Sequence, residues 1–226
     1  MLKQNSFTYV ILLLSLGLLS GCLNTKKIDA FIADQYNNQL PKQEKKKNTD
    51  IIVKPAVPFA TENISTTISR TSKVLPLIVY WQWDYRRTST LNPAIGINNF
   101  TKAVNLQANK ELGKKLEGQQ LELTVEQVPN EFAMVEKGHL VWLIYPLHWS
   151  KVYVEPDFKD LIVSYKVLQN GGETKSGKII VKSNAGNEKI RYFQSWRSVI
   201  SEHLGQYNLD IATMAKTFVA NLIQEL

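Results

Sequence analysis

Polar and apolar residues alternate most regularly between Leu121 and Glu126, where Leu121, Leu123 and Val125 are separated by Glu122, Thr124 and Glu126. A period of two puts the aliphatic side chains on one face, which predicts a half-buried strand. The same period joins Leu75, Leu77, Val79, Trp81, Trp83 and Tyr85 into a second strand, and Leu161, Val163, Tyr165 and Val167 into a third. The third turns at Asn170-Gly171-Gly172 into a strand over Lys178–Lys182, with a loop longer than the two-residue ideal. Leu140–Trp149 is apolar at consecutive positions, so a central strand covered on both faces is expected.

Helical spacing appears in three places. Phe100, Ala103, Val104, Ala108, Leu112 and Leu116 predict a helix capped by Asn98 or Asn99 and stopped at Gly118, after a loop over Leu91–Asn99. A helix from Glu188 to Leu204 is expected to end at Gly205. Another, capped by Asn208 or Asp210, is expected to run to Leu226. The order of elements predicts an α+β fold, a mainly antiparallel sheet of about 4–6 strands with helices packed on one face. From Leu23 to Lys73 the pattern lapses apart from Ile28–Tyr36 and Ile51-Ile52-Val53, so residues 22–73 are expected to be a polar tether with one short helix and one short strand, and 74–226 one globular domain.

The first residues have another character. Val10–Leu19 is apolar but shorter than the roughly 20 residues a membrane-spanning helix needs, and Lys3 precedes it without an acid. It ends in Leu19-Ser20-Gly21-Cys22, which resembles the lipobox of bacterial lipoproteins. The resemblance implies a signal peptide over residues 1–21, cleavage before Cys22, and lipid on its thiol. Small side chains at Ser20 and Gly21 would admit a peptidase, and several acyl chains at about 0.8 kcal/mol per buried CH₂ would hold the product on a membrane. Leu23, rather than an aspartate, follows the cysteine; in Gram-negative lipoproteins this implies outer-membrane delivery, facing the periplasm, over inner-membrane retention. Cys22 is the one cysteine, so no disulfide within the chain is available.

A formal charge of +7 asks whether the chain binds nucleic acid, but many of its lysines, among them Lys26, Lys27, Lys42 and Lys45–Lys47, lie in the expected tether. An exported, lipid-anchored protein is not expected to meet nucleic acid. Gly172–Lys178 resembles a phosphate-binding P-loop, but Ile179 stands where the magnesium-holding hydroxyl belongs and a strand follows, so a hairpin is expected instead. His139 and His148 fall on opposite strand faces, and His203 is expected to supply a terminal charge to a helix. No metal or cofactor is expected from this spacing. Glu122 and Glu126 share a face as paired catalytic carboxylates would, yet a solvent-facing strand explains them; Glu155, Asp157 and Asp160 read as loop charges.

The cluster with most chemical content is Tyr80–Arg87. Trp81, Trp83, Tyr85, Arg86 and Arg87 interleave rings with guanidinium groups and could stack on a sugar, lipid head group or base, with a long loop over Arg86–Ile97 beside them. A core strand emerging at a charged loop accounts for the same residues. The expectation is a lipid-anchored envelope protein with a non-catalytic binding or assembly domain and a protein or lipid partner. Its order of elements resembles auxiliary lipoproteins of outer-membrane transport and assembly systems, a likeness of layout only. The alternatives are an envelope enzyme with a nonlocal active site, and a carrier of lipid or another small ligand. The apolar Leu140–Trp149 strand would present one face to a partner or be covered by Ile51–Pro55.

Overall fold

The computed structural model describes residues 24–41, 50–56, 62–76, 79–108, 110–142, 145–156, 159–183, 186 and 194–226. The lipobox, Lys45–Lys47, Asp157 and the start of the helix expected at Glu188 lie outside them. The fold is α+β. Among the described residues the strands divide into two sheets of four rather than one.

The first sheet runs in the order β1 (Ile51–Pro55), β4 (Gln120–Gln127), β7 (Leu161–Gln169), β8 (Gly172–Val181). Its pairs are antiparallel except β1 with β4, which is parallel. Register sets Leu121 against Val167, Leu123 against Tyr165 and Val125 against Val163. The period-two stripes of β4 and β7 therefore merge into one apolar face, and all six side chains are buried. The turn from β7 to β8 is tighter than expected: Asn170 (φ 51°) and Gly171 (φ 82°) are its two central residues, and Gln169 pairs with Gly172. Two successive positive φ angles make the turn favoured between twisted strands. The run resembling a P-loop lies in β8, whose backbone stays extended to Val181 where a P-loop would open a helix.

Helices cover the apolar face. α2 (Pro93–Gln107) starts where a loop is expected, because Asn92 caps it by accepting from the Ala94 N–H (3.0 Å) and Pro93 has no N–H to lose. Gly96 lets α2 close on its neighbours: a Cβ there would lie 2.7 Å from both Val128 and the Tyr207 hydroxyl. α2 ends at Gln107 and a separate α3 (Lys110–Leu116) follows, so the single helix expected over this stretch is two. The two helices expected at the end are one. α4 (Trp196–Glu225) passes through Gly205, Asn208 and Asp210 unbroken, since Ile200, Leu204, Tyr207, Ile211, Met214, Phe218 and Leu222 keep a buried stripe in phase across the glycine. His203, expected as a terminal charge, is buried mid-helix with its ring 4.5 Å from that of Phe132.

The stretch expected as a tether holds folded elements. α1 (Thr25–Gln35), capped by Asn24, buries Ile28 and Ile32 completely in the common core and sets Phe31 edge-on to Trp196. Asp29 accepts from Ser65 Oγ, Thr67 Oγ1 and the Thr67 N–H, which fastens α1 to β2 (Ser65–Pro76). Residue 74, the expected domain boundary, falls inside β2. Two or three apolar residues suffice where neighbours supply the rest of a core, and so sparse a stripe reads as linker.

The second sheet has the order β2, β3 (Tyr80–Leu91), β5 (Glu131–Trp142), β6 (Pro146–Pro156), antiparallel throughout. The strand expected over Leu75–Tyr85 reverses between β2 and β3, and the one expected over Leu140–Trp149 reverses between β5 and β6. The loop expected from Arg86 to Ile97 is the second half of β3 followed directly by α2.

Candidate functional site

The four strands of the second sheet are long, and only one end of them meets the core. On β5, Phe132–Val135 are buried, Glu136–Val141 are half-buried apart from the buried Gly138, and Trp142 is exposed; on β6, Val154 is buried and Pro146–Ser150 are exposed. The distal parts, about seven residues at roughly 3.3 Å each, therefore extend some 20 Å beyond the buried base of the sheet. Both hairpin ends lie at this end, side by side. Tyr80 pairs with Val141, and the Trp142 N–H donates to the Val79 carbonyl (2.8 Å).

Register assigns the faces. Trp81 lies beside Leu140 and His148, and Trp142 follows Leu140 by two, so Trp81 and Trp142 share one face. Leu147 lies beside Val141 and Trp149 beside His139, which places both on the other. Val79, Trp81, Trp142, Tyr145, Leu147 and Trp149 are between 44% and 75% exposed. Large apolar side chains are thus bare on both faces of the sheet and at its turns, a grouping that a soluble surface does not ordinarily carry.

Ring contacts across the strands hold the tip in shape. On one face Trp83 lies flat over Gly138, where a Cβ would come within 2.1–2.4 Å of the indole, and stacks on His148 (5.4 Å, 8° between planes). On the other, Tyr80, His139 and Trp149 form a row across three strands, with ring separations of 6.0 and 5.2 Å. The Tyr80 hydroxyl and His139 Nδ1 share a hydrogen bond of 2.7 Å. Such cross-strand pairs keep two hairpins registered where no helix supports them.

Behind the tip runs a charged belt. Arg86 pairs with Glu155, and Arg87 with Glu136 at 3.1 Å. The Arg87 guanidinium also lies over the Tyr85 ring (5.4 Å), and the Lys137 ammonium over that of Tyr153 (5.8 Å). The Tyr153 hydroxyl beside Lys137 raises its pKa above the usual lysine range, keeping it charged. The basic residues of these strand segments, Arg70, Arg86, Arg87, Lys137 and Lys151, outnumber the acidic Asp84, Glu136 and Glu155.

The expected contact residues are therefore divided. Trp81 is exposed at the tip, Trp83 braces it, and Tyr85 is half-buried beneath Arg87. Arg87 is only 7% exposed and engaged by Glu136, so it is a structural cation rather than a contact group. Arg86 faces the opposite side of the sheet. Trp142, Tyr145, Leu147 and Trp149 belong to the Leu140–Trp149 run expected to present one face of a single strand to a partner; the structure divides that run between two strands and exposes it on both faces. The signal for the division was Pro146: it has no N–H for a ladder, and a proline inside an apolar run marks a strand end rather than a strand centre.

The remaining candidates lie elsewhere. Glu122 pairs with Lys54 (3.0 Å); Glu126 accepts from Lys178 and Ser164, and those hydrogen bonds hold its carboxyl below the usual range. Asp160 accepts from the Ser183 N–H. An open cleft of about 260 Å³ between β8 and α4 is lined by Lys182, Asp210, Thr213 and Asn221 among others. Among the described residues no cluster of three or more His, Cys, Asp or Glu side chains is placed to hold a metal ion, and no helix is long and apolar enough to cross a membrane. No family model, curated protein or solved structure matches the chain.

Proposed function

We propose that this chain is an envelope lipoprotein, held on a membrane by lipid on Cys22, whose globular part is a non-catalytic binding or assembly module with the twin hairpin tip as its contact surface. The observation that carries the contact surface is the exposure of Val79, Trp81, Trp142, Tyr145, Leu147 and Trp149 together at the end of the second sheet beyond its buried base. Apolar groups in that position raise the free energy of the isolated protein, at roughly 25 cal/mol per Å² left in water. A contact that removes them from water offsets this. The anchor rests on Leu19-Ser20-Gly21-Cys22, and Leu23 favours the outer membrane, facing the periplasm.

Two measurements test the reading. Cells fed labelled fatty acid should label the native chain and not Cys22→Ala; an unlabelled native chain refutes the anchor. A photoreactive amino acid at position 145 should give adducts in intact cells, while the same group at Thr124, on the outer side of the first sheet, should give few. Equal yields from the two positions refute the contact surface.

A further inference from the structure

We infer that the occupant of the hairpin tip is a lipid bilayer, entered only to the depth of its head groups and first methylenes. This rests on the tip being a contact surface, as proposed above, and names what it contacts. A protein partner seals one face of a sheet, but here Trp81 and Trp142 are bare on one face, Leu147 and Trp149 on the other, and Tyr145 at the end. A medium that surrounds the tip satisfies all of them at once; a docking groove does not.

The chemistry matches that medium. From Val74 to Trp83 and from Gly138 to Ser150 there is no Asp, Glu, Lys or Arg, and lysine flanks the second run on both sides at Lys137 and Lys151. Tryptophan and tyrosine concentrate at the membrane–water boundary, where an apolar ring and a polar N–H or O–H are both accommodated. The belt behind the tip carries net positive charge and complements anionic head groups. Depth is limited by the backbone. β2 and β6 are the outer strands of the sheet, and their unpaired N–H and C=O groups need water or head groups, which excludes the hydrocarbon centre. Lipid on Cys22, two residues and about 7 Å of chain from Asn24, the cap of α1, would hold the whole domain close to a membrane surface.

The protein carries its own reporter. Of its five tryptophans, Trp81, Trp83, Trp142 and Trp149 lie in the tip. The native chain is reconstituted into vesicles of phosphatidylethanolamine and phosphatidylglycerol, with or without bromine on the acyl chains. Bromine near the head-group end should remove most of the indole emission, and bromine near the methyl end much less. Replacing Trp196 by Phe should leave that loss in place. A Tyr145→Ser, Leu147→Ser double variant, altered only at exposed positions, should melt like the native chain and largely escape quenching.

Emission that ignores bromine but yields to acrylamide in the water overturns the inference. If position 145 then gives one discrete adduct with another protein, the contact surface stands with a protein occupant. An adduct between two copies of this chain assigns it to self-association. Background adducts alone overturn the contact surface as well.

Discussion

The two sheets turn very different surfaces outward. On the first, each strand sends charge away from the core, and the charges pair across strands: Lys54 with Glu122, Lys178 with Glu126, Lys166 with Glu173 at 2.8 Å. On the second, the distal half carries rings and aliphatic groups on both sides and its charge is confined to a belt nearer the core. Exposed ion pairs of this kind contribute roughly 0–1 kcal/mol each, so the first sheet's outer face keeps it soluble and is not what holds it together. Its stability lies on the covered side. The second sheet divides these roles along its length: its base is core, and its tip is a surface whose composition is not explained by folding.

Truncation should separate the two regions most sharply. Leu123→Ala in the first sheet, or Ile28→Ala in α1, removes a fully buried side chain and should cost about 2–5 kcal/mol in urea unfolding. Leu147→Ala at the tip should cost less than about 0.5 kcal/mol. A large loss at Leu147 would make the tip part of the core and end the distinction.

Glycine offers a matched pair. Gly177 lies under the Tyr165 ring and Gly138 under Trp83, and a Cβ clashes with the ring in each case. Tyr165 is buried and donates through its hydroxyl to Glu225 (2.8 Å), whereas Trp83 is half-buried on a tip open to solvent. Gly177→Ala should therefore cost about 1–3 kcal/mol, and Gly138→Ala less, with a change in the near-ultraviolet circular dichroism of tryptophan.

Alkali should act on the covered regions. Burial pushes the Tyr36 hydroxyl up to about 12, and burial with the Glu225 carboxylate beside it pushes Tyr165 up to about 12. The unfolded chain ionises near 10, so the contribution of each tyrosine is complete below pH 10 and is lost as pH rises toward 12. The melting temperature should fall over that window, and less so in a Tyr36→Phe, Tyr165→Phe variant. The smallest effect belongs to the ion-pair ladder. Glu122→Gln should change stability by no more than about 0.5 kcal/mol, and raising salt should erase even that.

Much of the first sheet could be read before folding, because β4 and β7 have one wet face each and the alternation records it. Asn170-Gly171 likewise announces a turn through the two residues that best tolerate positive φ. The second sheet was legible as strand and illegible as hairpins. Between Leu75 and Tyr85 the alternation keeps its phase through the reversal, so one strand and two give the same pattern. Between Leu140 and Trp149 the apolar residues on both faces read as a buried centre, and the structure leaves Trp142, Tyr145, Leu147 and Trp149 exposed. α1 was legible only as a short helix within a tether: Ile28, Phe31 and Ile32 are too few to mark a core helix, yet neighbouring elements bury Ile28 and Ile32 completely.

Local patterning by itself determined that β4 and β7 extend, where the clearest turn falls, and that the fold is α+β, since these follow from the periods of two and 3.6 and from backbone freedom at single residues. Tertiary structure alone decided which apolar residues would be covered. Burial depends on whether another element lies overhead, and in the second sheet full burial is concentrated at the base and falls away toward the aromatic tip.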